Sequence, residues 1–342
     1  MTFFNQKKNI PFFIAEVGQN HQGNLKIALD YVDTFSNLGA NAIKFQMRNN
    51  KKLFSKKAYN QIYNSKNAFD EIYGKHRDKL ELSLNDFKKI KKKCIEKKVY
   101  FMATPFDEDS LEKLCKIGVD IIKIASFDLG NLSLIEKVAK KKIPVVISIG
   151  GGQTKHIESS IKLLKKYNNN IAILHCNSEY PTPYKNLGLE NITKLKKKYR
   201  GLAIGSSDHF NGILSGPIAY MLGAKVFEKH VTFNRSWKGT DHIFSLMPEG
   251  FRKFVRDIKR TPYMLKMKNK SLIGKEEVFK KLGKSLILRK TLKKNSLIKL
   301  DDLTGMIFLK NYIPVRDTYK IVGKKTKFKI YAGDPLEWDK IK

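Results

Sequence analysis

The chain has 342 residues, 42% of them hydrophobic, which is enough for one large domain and a smaller one, each with its own core. No apolar run approaches the roughly 20 residues of a membrane-spanning helix, and the N-terminus lacks the apolar stretch of a secretory signal. The three cysteines are widely spaced and odd in number, which argues against a disulfide framework. We therefore expect a cytoplasmic protein that has no membrane partner.

The formal net charge of +35 would suit a nucleic-acid-binding protein. However, only nine of the 67 basic residues are arginine, and the lysines are spread over the whole chain. No zinc-finger, RNP or helix-turn-helix signature accompanies them, so we expect no nucleic-acid partner. A small anionic substrate would still be attracted by this charge. The alternative of a basic polymer-binding protein predicts an affinity that falls steeply with salt.

Apolar runs alternate with helical patterns along the first 255 residues. The first strand, 12–17, precedes a helix at 25–38, and a polar excursion over residues 47–80 precedes a second helix at 83–98. The eight predicted strands are 12–17, 41–46, 99–104, 119–125, 145–148, 171–176, 202–206 and 225–230. Strands buried on both faces give continuous apolar runs, and eight strand–helix units predict the α/β class with a TIM (β/α)8 barrel. The alternative is a doubly wound open sheet, which the absence of a glycine-rich dinucleotide loop disfavours.

The composition and the hydrophobic pattern of the sequence change after residue 254. Residues 256–282 are rich in lysine with little apolar periodicity beyond a short helix, which is typical of a linker. Short β-type runs and turns follow from residue 283. We therefore predict a barrel domain over 1–255, a linker over 256–282 and a small β-rich domain over 283–342.

Polar residues collect where the predicted strands end, which is where TIM barrels carry their catalytic groups. They are Glu16, Lys44, Gln46, Thr104, Lys123, Ser126, Ser148, Ser178, Tyr180, Ser207, His209, Glu228 and His230, with Asp241 shortly after the last strand. A buried lysine is costly unless an anion pairs with it. Lys44 and Lys123 at one barrel mouth therefore predict a carboxylate or phosphate ligand, unless their amines reach out to water.

Residues 201–246 contain two short strands, each of which ends in a polar cluster with a histidine. Alternate residues of a strand share a face, so Ser207 and His209 point one way, as do Glu228 and His230. Two imidazoles at the ends of neighbouring parallel strands form half of a site for a divalent metal. A single histidine would more often be a structural residue, but this pair favours a metal site.

The motifs IAEVGQNHQG, AIKFQ, FMATPFDEDS, IIKIASFDLGN, HCNSEYPTPY, GSSDH and EKHVTFNRSWKGTDH occur in this order along the chain. In wording, order and spacing they resemble the sialic acid synthase (N-acetylneuraminate synthase) family. The C-terminal stretch, with KSLI, GKKTKFKI and GDPLEW, resembles the SAF, or antifreeze-like, domain that ends those synthases. The resemblance covers nearly the whole chain.

This resemblance implies condensation of phosphoenolpyruvate with an open-chain N-acetylated hexose, such as N-acetylmannosamine, to give a nine-carbon 2-keto acid and phosphate. It implies a divalent ion held by His209 and His230, expected to be Mn²⁺, with Mg²⁺ or Co²⁺ as alternatives. It also implies a homodimer in which the SAF domain caps the partner's barrel.

The resemblance also assigns roles. Lys44, Lys123, Thr104, Ser126, Ser148 and Ser207 would hold the phosphate and carboxylate, Glu16 would orient water or move a proton, and Glu228, Gln46, Tyr180 and Asp241 would meet the sugar or the intermediate. Ser178 stands where some members have asparagine.

The small domain departs from the family in one respect. Members that make N-acetylneuraminate carry an Arg-Pro-Gly segment whose arginine reaches the partner's sugar, but residues 305–311 contain no arginine. Either Lys310 or Arg316 replaces it, or the acceptor sugar differs. A second enzymatic hypothesis is a Schiff-base aldolase in the same barrel, with Lys44 or Lys123 as the nucleophile and no metal.

Overall fold

Eight parallel strands close into a barrel in which each strand pairs with the next and the last pairs with the first. The computed structural model describes Phe4, residues 10–266, Asn269 and residues 272–342. The strands are β1 (Phe12–Gly18), β2 (Ala42–Met47), β3 (Tyr100–Pro105), β4 (Ile121–Ile124), β5 (Val145–Ser148), β6 (Ile171–Cys176), β7 (Ala203–Asp208) and β8 (Val226–His230). The predicted α/β class and TIM barrel are confirmed.

Helices connect the strands. In the barrel unit they are α1 (Leu25–Asn37), α2 (Asn50–Leu53), α3 (Lys56–Tyr59), α4 (Tyr73–Lys79), α5 (Leu84–Glu96), α6 (Glu108–Ile117), α7 (Leu132–Lys140), α8 (Thr154–Tyr167), α9 (Asn191–Lys198), α10 (Ser215–Leu222) and α11 (Pro248–Met264). Local chemistry sets their ends: Ser83 and Asp86 form a capping box at the start of α5, and Asp107 caps α6. None of the helices in the described part of the chain is long and apolar enough to cross a membrane.

Two apolar layers hold the barrel. Apolar side chains such as Ile14, Ala42, Met102 and Val146 fill its interior. A larger core packs the outer faces of the strands against the helices and includes Tyr31 and Phe35 of α1. Because both faces of each strand are covered, polar residues are tolerated only at the strand ends, which open onto the barrel mouth.

The last barrel helix is longer than the sequence suggests. Helix α11 continues through residues 256–264, a stretch that the sequence analysis assigned to the linker. Ile258 and Thr261 are buried there, so this part of the helix packs on the barrel despite its many charged residues. The chain divides into two compact units at the end of this helix, residues 1–265 and 266–342.

The second unit is small and β-rich. Strands β9 (Lys284–Leu288) and β10 (Leu303–Ile307) pair antiparallel, with Leu288 opposite Leu303. Helices α12 (Glu277–Leu282) and α13 (Thr318–Ile321) and several isolated β-bridges complete it. The unit has a hydrophobic core of its own, formed by Leu286, Leu288, Leu292, Ile298, Leu303, Ile313, Ile321, Ile330, Leu336 and Ile341.

The polar excursion between β2 and β3 folds into α2, α3 and α4. Two glycines allow it to lie close to its neighbours. A Cβ on Gly23, which has a positive φ of 70°, would lie 2.2 Å from the carbonyl oxygen of Lys79 at the end of α4. A Cβ on Gly74 would lie 2.2 Å from the ring of Tyr59. The excursion is therefore packed against the loop that follows β1, beside the barrel mouth.

Candidate active site at the barrel mouth

The polar side chains at the strand ends line one cavity of about 740 Å³. All predicted site residues except Ser178 line it: Glu16, Lys44, Gln46, Thr104, Lys123, Ser126, Ser148, Tyr180, Ser207, His209, Glu228, His230 and Asp241. Strand register brings them together, because Glu16 on β1 is aligned with Lys44 on β2 and with His230 on β8. Ser178 is not among the lining residues; its hydroxyl is buried beside the backbone of Gly150.

Two lysines and two glutamates, Glu16, Lys44, Lys123 and Glu228, form what we call the ionic cluster. The amine of Lys44 lies 2.9 Å from Glu16 and 3.5 Å from Oε1 of Glu228, and the amine of Lys123 lies 3.8 Å from the same oxygen. All four residues are at most 4% exposed. Buried charges need partners, and here two cations and two carboxylates offset one another.

The ionic cluster shifts the pKa of each member. Burial raises the pKa of Glu16 against the opposing charge of Lys44. Burial would also raise the pKa of Glu228, but Lys123 and Lys44 outweigh it and lower that pKa to about 2. Burial lowers the pKa of Lys123, whereas the burial of Lys44 is outweighed by Glu16 and Glu228, which raise its pKa. Glu228 and Lys44 therefore keep their charges, and Glu16 is the member best suited to exchange a proton.

Hydroxyl groups surround the two lysines. The amine of Lys123 donates to Ser148 Oγ at 2.7 Å, and Ser207 Oγ donates to Glu228 Oε1 at 2.9 Å. Thr104 and Ser126 line the same cavity. Ammonium and hydroxyl donors together form a site for an anion with several oxygens.

His209 and His230 lie beside the ionic cluster, with ring centroids 5.3 Å apart. The Nδ1 of His209 is 2.8 Å from the carbonyl oxygen of Asn177, which can only accept, so Nδ1 donates to it and Nε2 is left for other partners. Burial lowers the pKa of His230 to about 4, so its ring is neutral at pH 7. Its buried Nδ1 has no hydrogen-bond partner among the described residues, and Asp241 Oδ2 lies 3.8 Å away.

These two imidazoles fit a catalytic rather than a structural metal ion. The His230 ring is neutral at pH 7, and its Nδ1 and the Nε2 of His209 are the ring nitrogens left for a divalent ion. No group of three or more His, Cys, Asp or Glu residues in the described ranges is arranged to hold an ion. The pair therefore suits an ion that keeps open positions for water and substrate.

A buried ion pair outside the cavity holds both histidines in place. Lys229 precedes His230, Asp208 precedes His209, and the amine of Lys229 lies 2.7 Å from Asp208 Oδ2. Asp208 also accepts from the backbone N–H of Phe210 at 2.8 Å, and the Lys229 amine donates to the Phe210 carbonyl. Because Lys229 is fully buried, this pair fixes the ends of β7 and β8 relative to each other.

Sequence reasoning missed part of the cavity wall. The further lining residues include Gln19, Arg48, Leu53, Phe54, Tyr73, Arg77, Phe106, Phe127, Asp128, Cys176 and Thr240. Arg48 could have been found, because it continues the alternation of Lys44 and Gln46 along β2. Arg77 lies on α4 in the polar excursion, where no periodicity indicates which side chains face the mouth.

A closed barrel with ionisable groups gathered at the carboxyl ends of its strands defines an enzyme of the TIM-barrel class. A family model described as "NeuB family" matches residues 31–270. The chain is 32% identical over 326 residues to N-acetylneuraminate-9-phosphate synthase of Homo sapiens, covering 95% of this chain and 91% of the relative. It is 32% identical over 339 residues to N,N'-diacetyllegionaminic acid synthase of Legionella pneumophila, covering 96% and 94%.

The fold agrees with these sequence matches. A crystal structure of N-acetylneuraminic acid synthetase from Leptospira borgpetersenii, in complex with citrate, superposes with a TM-score of 0.69 at 33% identity, covering 80% of this chain and 93% of that one. The chain therefore belongs to the NeuB family. It is an enzyme of the nonulosonic acid synthase class, a transferase that forms a carbon–carbon bond between phosphoenolpyruvate and an aldose.

Proposed function

We propose that the protein condenses phosphoenolpyruvate with an open-chain acetamido hexose, giving a nine-carbon 2-keto sugar acid and inorganic phosphate. The observation that carries this proposal is the juxtaposition of the ionic cluster with the imidazoles of His209 and His230 in one cavity. The lysines match the anionic substrate, and the imidazoles match an ion that polarises an aldehyde. The relatives' names divide between a 9-phosphorylated and an unphosphorylated product.

Lys44 and Lys123, with Ser148 and Ser207, bind the carboxylate and phosphate of phosphoenolpyruvate. Glu228 keeps its negative charge between the two amines and sets their positions. A fixed array of donors in a water-poor cavity holds the carboxylate and phosphate in one orientation while C3 attacks the aldehyde. Binding therefore orients C3 towards the acceptor carbonyl.

Water adds at C2 after the carbon–carbon bond forms, and the resulting tetrahedral intermediate loses phosphate. Glu16 accepts the proton of this water, since burial raises its pKa while Lys44 and Gln46 hold its carboxylate in place. The amide of Gln46 donates to Glu16 Oε1 at 2.7 Å. A proton taken at Glu16 stays inside the cavity and is passed to the leaving phosphate. The second proton of the water, released as C2 becomes a ketone, ends on the hydroxyl formed from the aldehyde oxygen.

His209 and His230 would hold the divalent ion, for which we propose Mn²⁺. When bound, such an ion supplies Lewis-acid polarisation of the acceptor carbonyl. Tyr180, whose ring centroid lies 4.0 Å from that of His209, and Asp241 border the space beside the pair and would contact the sugar. The imidazole of His209 is oriented by the Asn177 carbonyl before any ligand arrives.

The direct test is to incubate the protein with phosphoenolpyruvate, Mn²⁺ and a panel of acetamido hexoses. We expect release of inorganic phosphate that depends on both the sugar and the metal, with a nine-carbon 2-keto acid identified by mass spectrometry. Phosphate release without a condensed product would indicate simple hydrolysis and reject the proposal. Affinity for anionic polymers without turnover would instead favour the polymer-binding alternative.

We further propose that residues 283–342 form a SAF-type domain and that the protein works as a homodimer. The unit at 266–342 has its own core, and the barrel unit contains all eight strands. Arg316 is exposed, with its guanidinium against Gly274, and Lys310 stands over the ring of Tyr312, 5.8 Å from its centroid. These are the two cations available to replace the family's arginine.

A chain that ends after Leu265 is expected to keep a folded barrel but to lose most of its turnover. The strand and helix cores are complete by that residue. In the proposed homodimer the cavity would lose the water-excluding cap that the partner's second unit provides. The measurements are circular dichroism, turnover, and turnover after addition of residues 266–342 as a separate fragment. A truncated monomer as active as the full chain would show that the second unit has no catalytic role.

A further inference from the structure

Gln46 is held by hydrogen bonds at both ends of its side-chain amide. Its Oε1 accepts from Nη2 of Arg48, and its Nε2 donates to Oε1 of Glu16 at 2.7 Å. A guanidinium has donors but no acceptor, so the amide oxygen must face Arg48 and the amide nitrogen must face Glu16. Arg48 therefore decides which end of Gln46 points at the carboxylate that is proposed to take the proton of water.

Arg48 is itself fixed by a carboxylate and a ring. Its Nη1 and its backbone N–H donate to the two carboxylate oxygens of Glu81, at 3.3 and 3.0 Å, and its guanidinium lies 4.0 Å from the ring centroid of Phe106. The side chains of Arg48 and Glu81 are only 9% and 15% exposed, so water screens this ion pair little. Glu81 lies between α4 and α5 and ties the end of β2 to that segment.

The backbone of β1 comes close to the contact between Gln46 and Glu16. A Cβ on Gly18 would lie 3.3 Å from Nε2 of Gln46 and 3.3 Å from Oε1 of Glu16. Gly18 has a φ of 57°, and the register between β1 and β2 shifts between Glu16 and Gly18. A positive φ favours glycine, and the missing side chain leaves space for this hydrogen bond.

The two carboxylate oxygens of Glu16 have different surroundings. Oε1 accepts from Gln46, whereas Oε2 lies 2.9 Å from the amine of Lys44. Oε2 is buried and accepts no hydrogen bond from the residues that the structure describes. It is therefore the oxygen with a lone pair left for a proton, and the bond from Gln46 to Oε1 sets where it points.

We propose that Arg48 and Glu81 are positioning residues that fix the orientation of the Gln46 amide. Gln46 in turn holds Glu16 so that Oε2 takes the proton of the water as the water oxygen bonds to C2. This inference rests on the proposed function and deepens it, since it gives two residues outside the predicted site a part in that proton transfer. Without Arg48 the amide can turn its oxygen towards Glu16, and two acceptors would then face each other.

The first experiment compares Arg48→Met with Arg48→Lys at saturating phosphoenolpyruvate, Mn²⁺ and acceptor sugar. Methionine can still pack on Phe106 but donates nothing, whereas lysine donates and cannot accept. We expect kcat to fall by roughly 10- to 100-fold in Arg48→Met, which is part of the roughly 100- to 10,000-fold that a positioned base contributes. Both KM values should change little, and Arg48→Lys should keep most of kcat. An equal loss of kcat in the two variants would overturn the inference.

A double-mutant cycle tests whether Arg48 acts through Gln46. Once Gln46→Met has removed the amide, adding Arg48→Met should cause no further loss of kcat. Additive losses would show that Arg48 acts through another group and would reject the inference. Arg252→Met is the matched control and should keep kcat, because Arg252 makes a similar pair with Glu249, at 2.6 and 2.7 Å, on the exposed surface of α11.

The side-chain amide signal of Gln46 separates this inference from the proposed function, because it needs no turnover. In a nitrogen–proton correlation spectrum of the full chain, the signal is assigned by its loss in Gln46→Met. We expect the signal to shift, and its protons to exchange faster with water, in Arg48→Met and in Glu81→Gln, but not in Arg252→Met. An unchanged signal in Arg48→Met would overturn the inference even if the protein condenses its substrates. The expected shift in a protein that condenses nothing would support the positioning of Glu16 and reject the proposed function alone.

Discussion

The His230→Ala variant is expected to lose phosphate release by at least roughly 1,000-fold. Lewis-acid polarisation of a carbonyl contributes several kcal/mol to the transition state, and each 1.36 kcal/mol is a factor of ten in rate. His230 is buried and its ring is neutral at pH 7. Its Nδ1 has no hydrogen-bond partner among the described residues, so this nitrogen is available to a metal ion. Removing the ring would leave His209 as the single imidazole of the proposed metal site. Turnover with and without added Mn²⁺ is the measurement.

Metal binding gives an independent readout of the same variant. Titration of Mn²⁺, followed by the electron paramagnetic resonance signal of the free ion, should show one tight site in the wild type and a much weaker one in His230→Ala. His156→Ala is the matched control, because His156 accepts a hydrogen bond from the Gln153 backbone at the start of α8 and does not line the cavity. Full activity of the wild type after exhaustive EDTA treatment would contradict the metal-assisted reaction.

The barrel was predictable because the same strand–helix pattern recurs along the sequence. Each strand is covered on both faces, so each appears as a continuous apolar run, and a polar residue at its end then marks the mouth. Lys44 and Lys123 lie on apolar strands and face the mouth, and both lie within 4 Å of Glu228. Their close approach to one carboxylate was not predictable, because it depends on the strand register and the side-chain rotamers.

The excursion between β2 and β3 was not predictable for a different reason. Its helices are short. They are stabilised by close packing at Gly74 and Gly23 and not by burial of an amphipathic face. Sequence periodicity carries no information about such contacts, so Arg77 could not be assigned to the wall. Helix α11 shows the opposite effect, since a few buried residues keep a lysine- and arginine-rich stretch helical through Met264.

The Lys123→Met variant is expected to raise the KM for phosphoenolpyruvate by roughly 10- to 100-fold, with a much smaller change in the KM for the sugar. Loss of a charge-assisted contact in a poorly solvated site costs about 1.5–3 kcal/mol. The substitution also removes a cation from the ionic cluster, so Glu228 retains only Lys44 as a charged partner there. The pKa of Glu228 should then rise from about 2, and the cluster should repel an anion. Initial rates over both substrate concentrations provide the measurement.

Lys229→Met is the control that separates anion binding from the general effect of removing a buried amine. Lys229 is fully buried in β8 and paired with Asp208 outside the cavity, so its loss should lower the thermal midpoint without a selective rise in the KM for phosphoenolpyruvate.

The lowered pKa of Lys123 also suits a Schiff-base nucleophile, and the rival hypothesis of a Schiff-base aldolase makes a different prediction. Borohydride added during turnover would then trap a covalent adduct on Lys123. We expect no adduct, because the Lys123 amine donates a hydrogen bond to Ser148 and lies near the Glu228 carboxylate. Both contacts favour the ammonium form, which binds an anion and is not a nucleophile. An adduct would reassign Lys123 as the nucleophile.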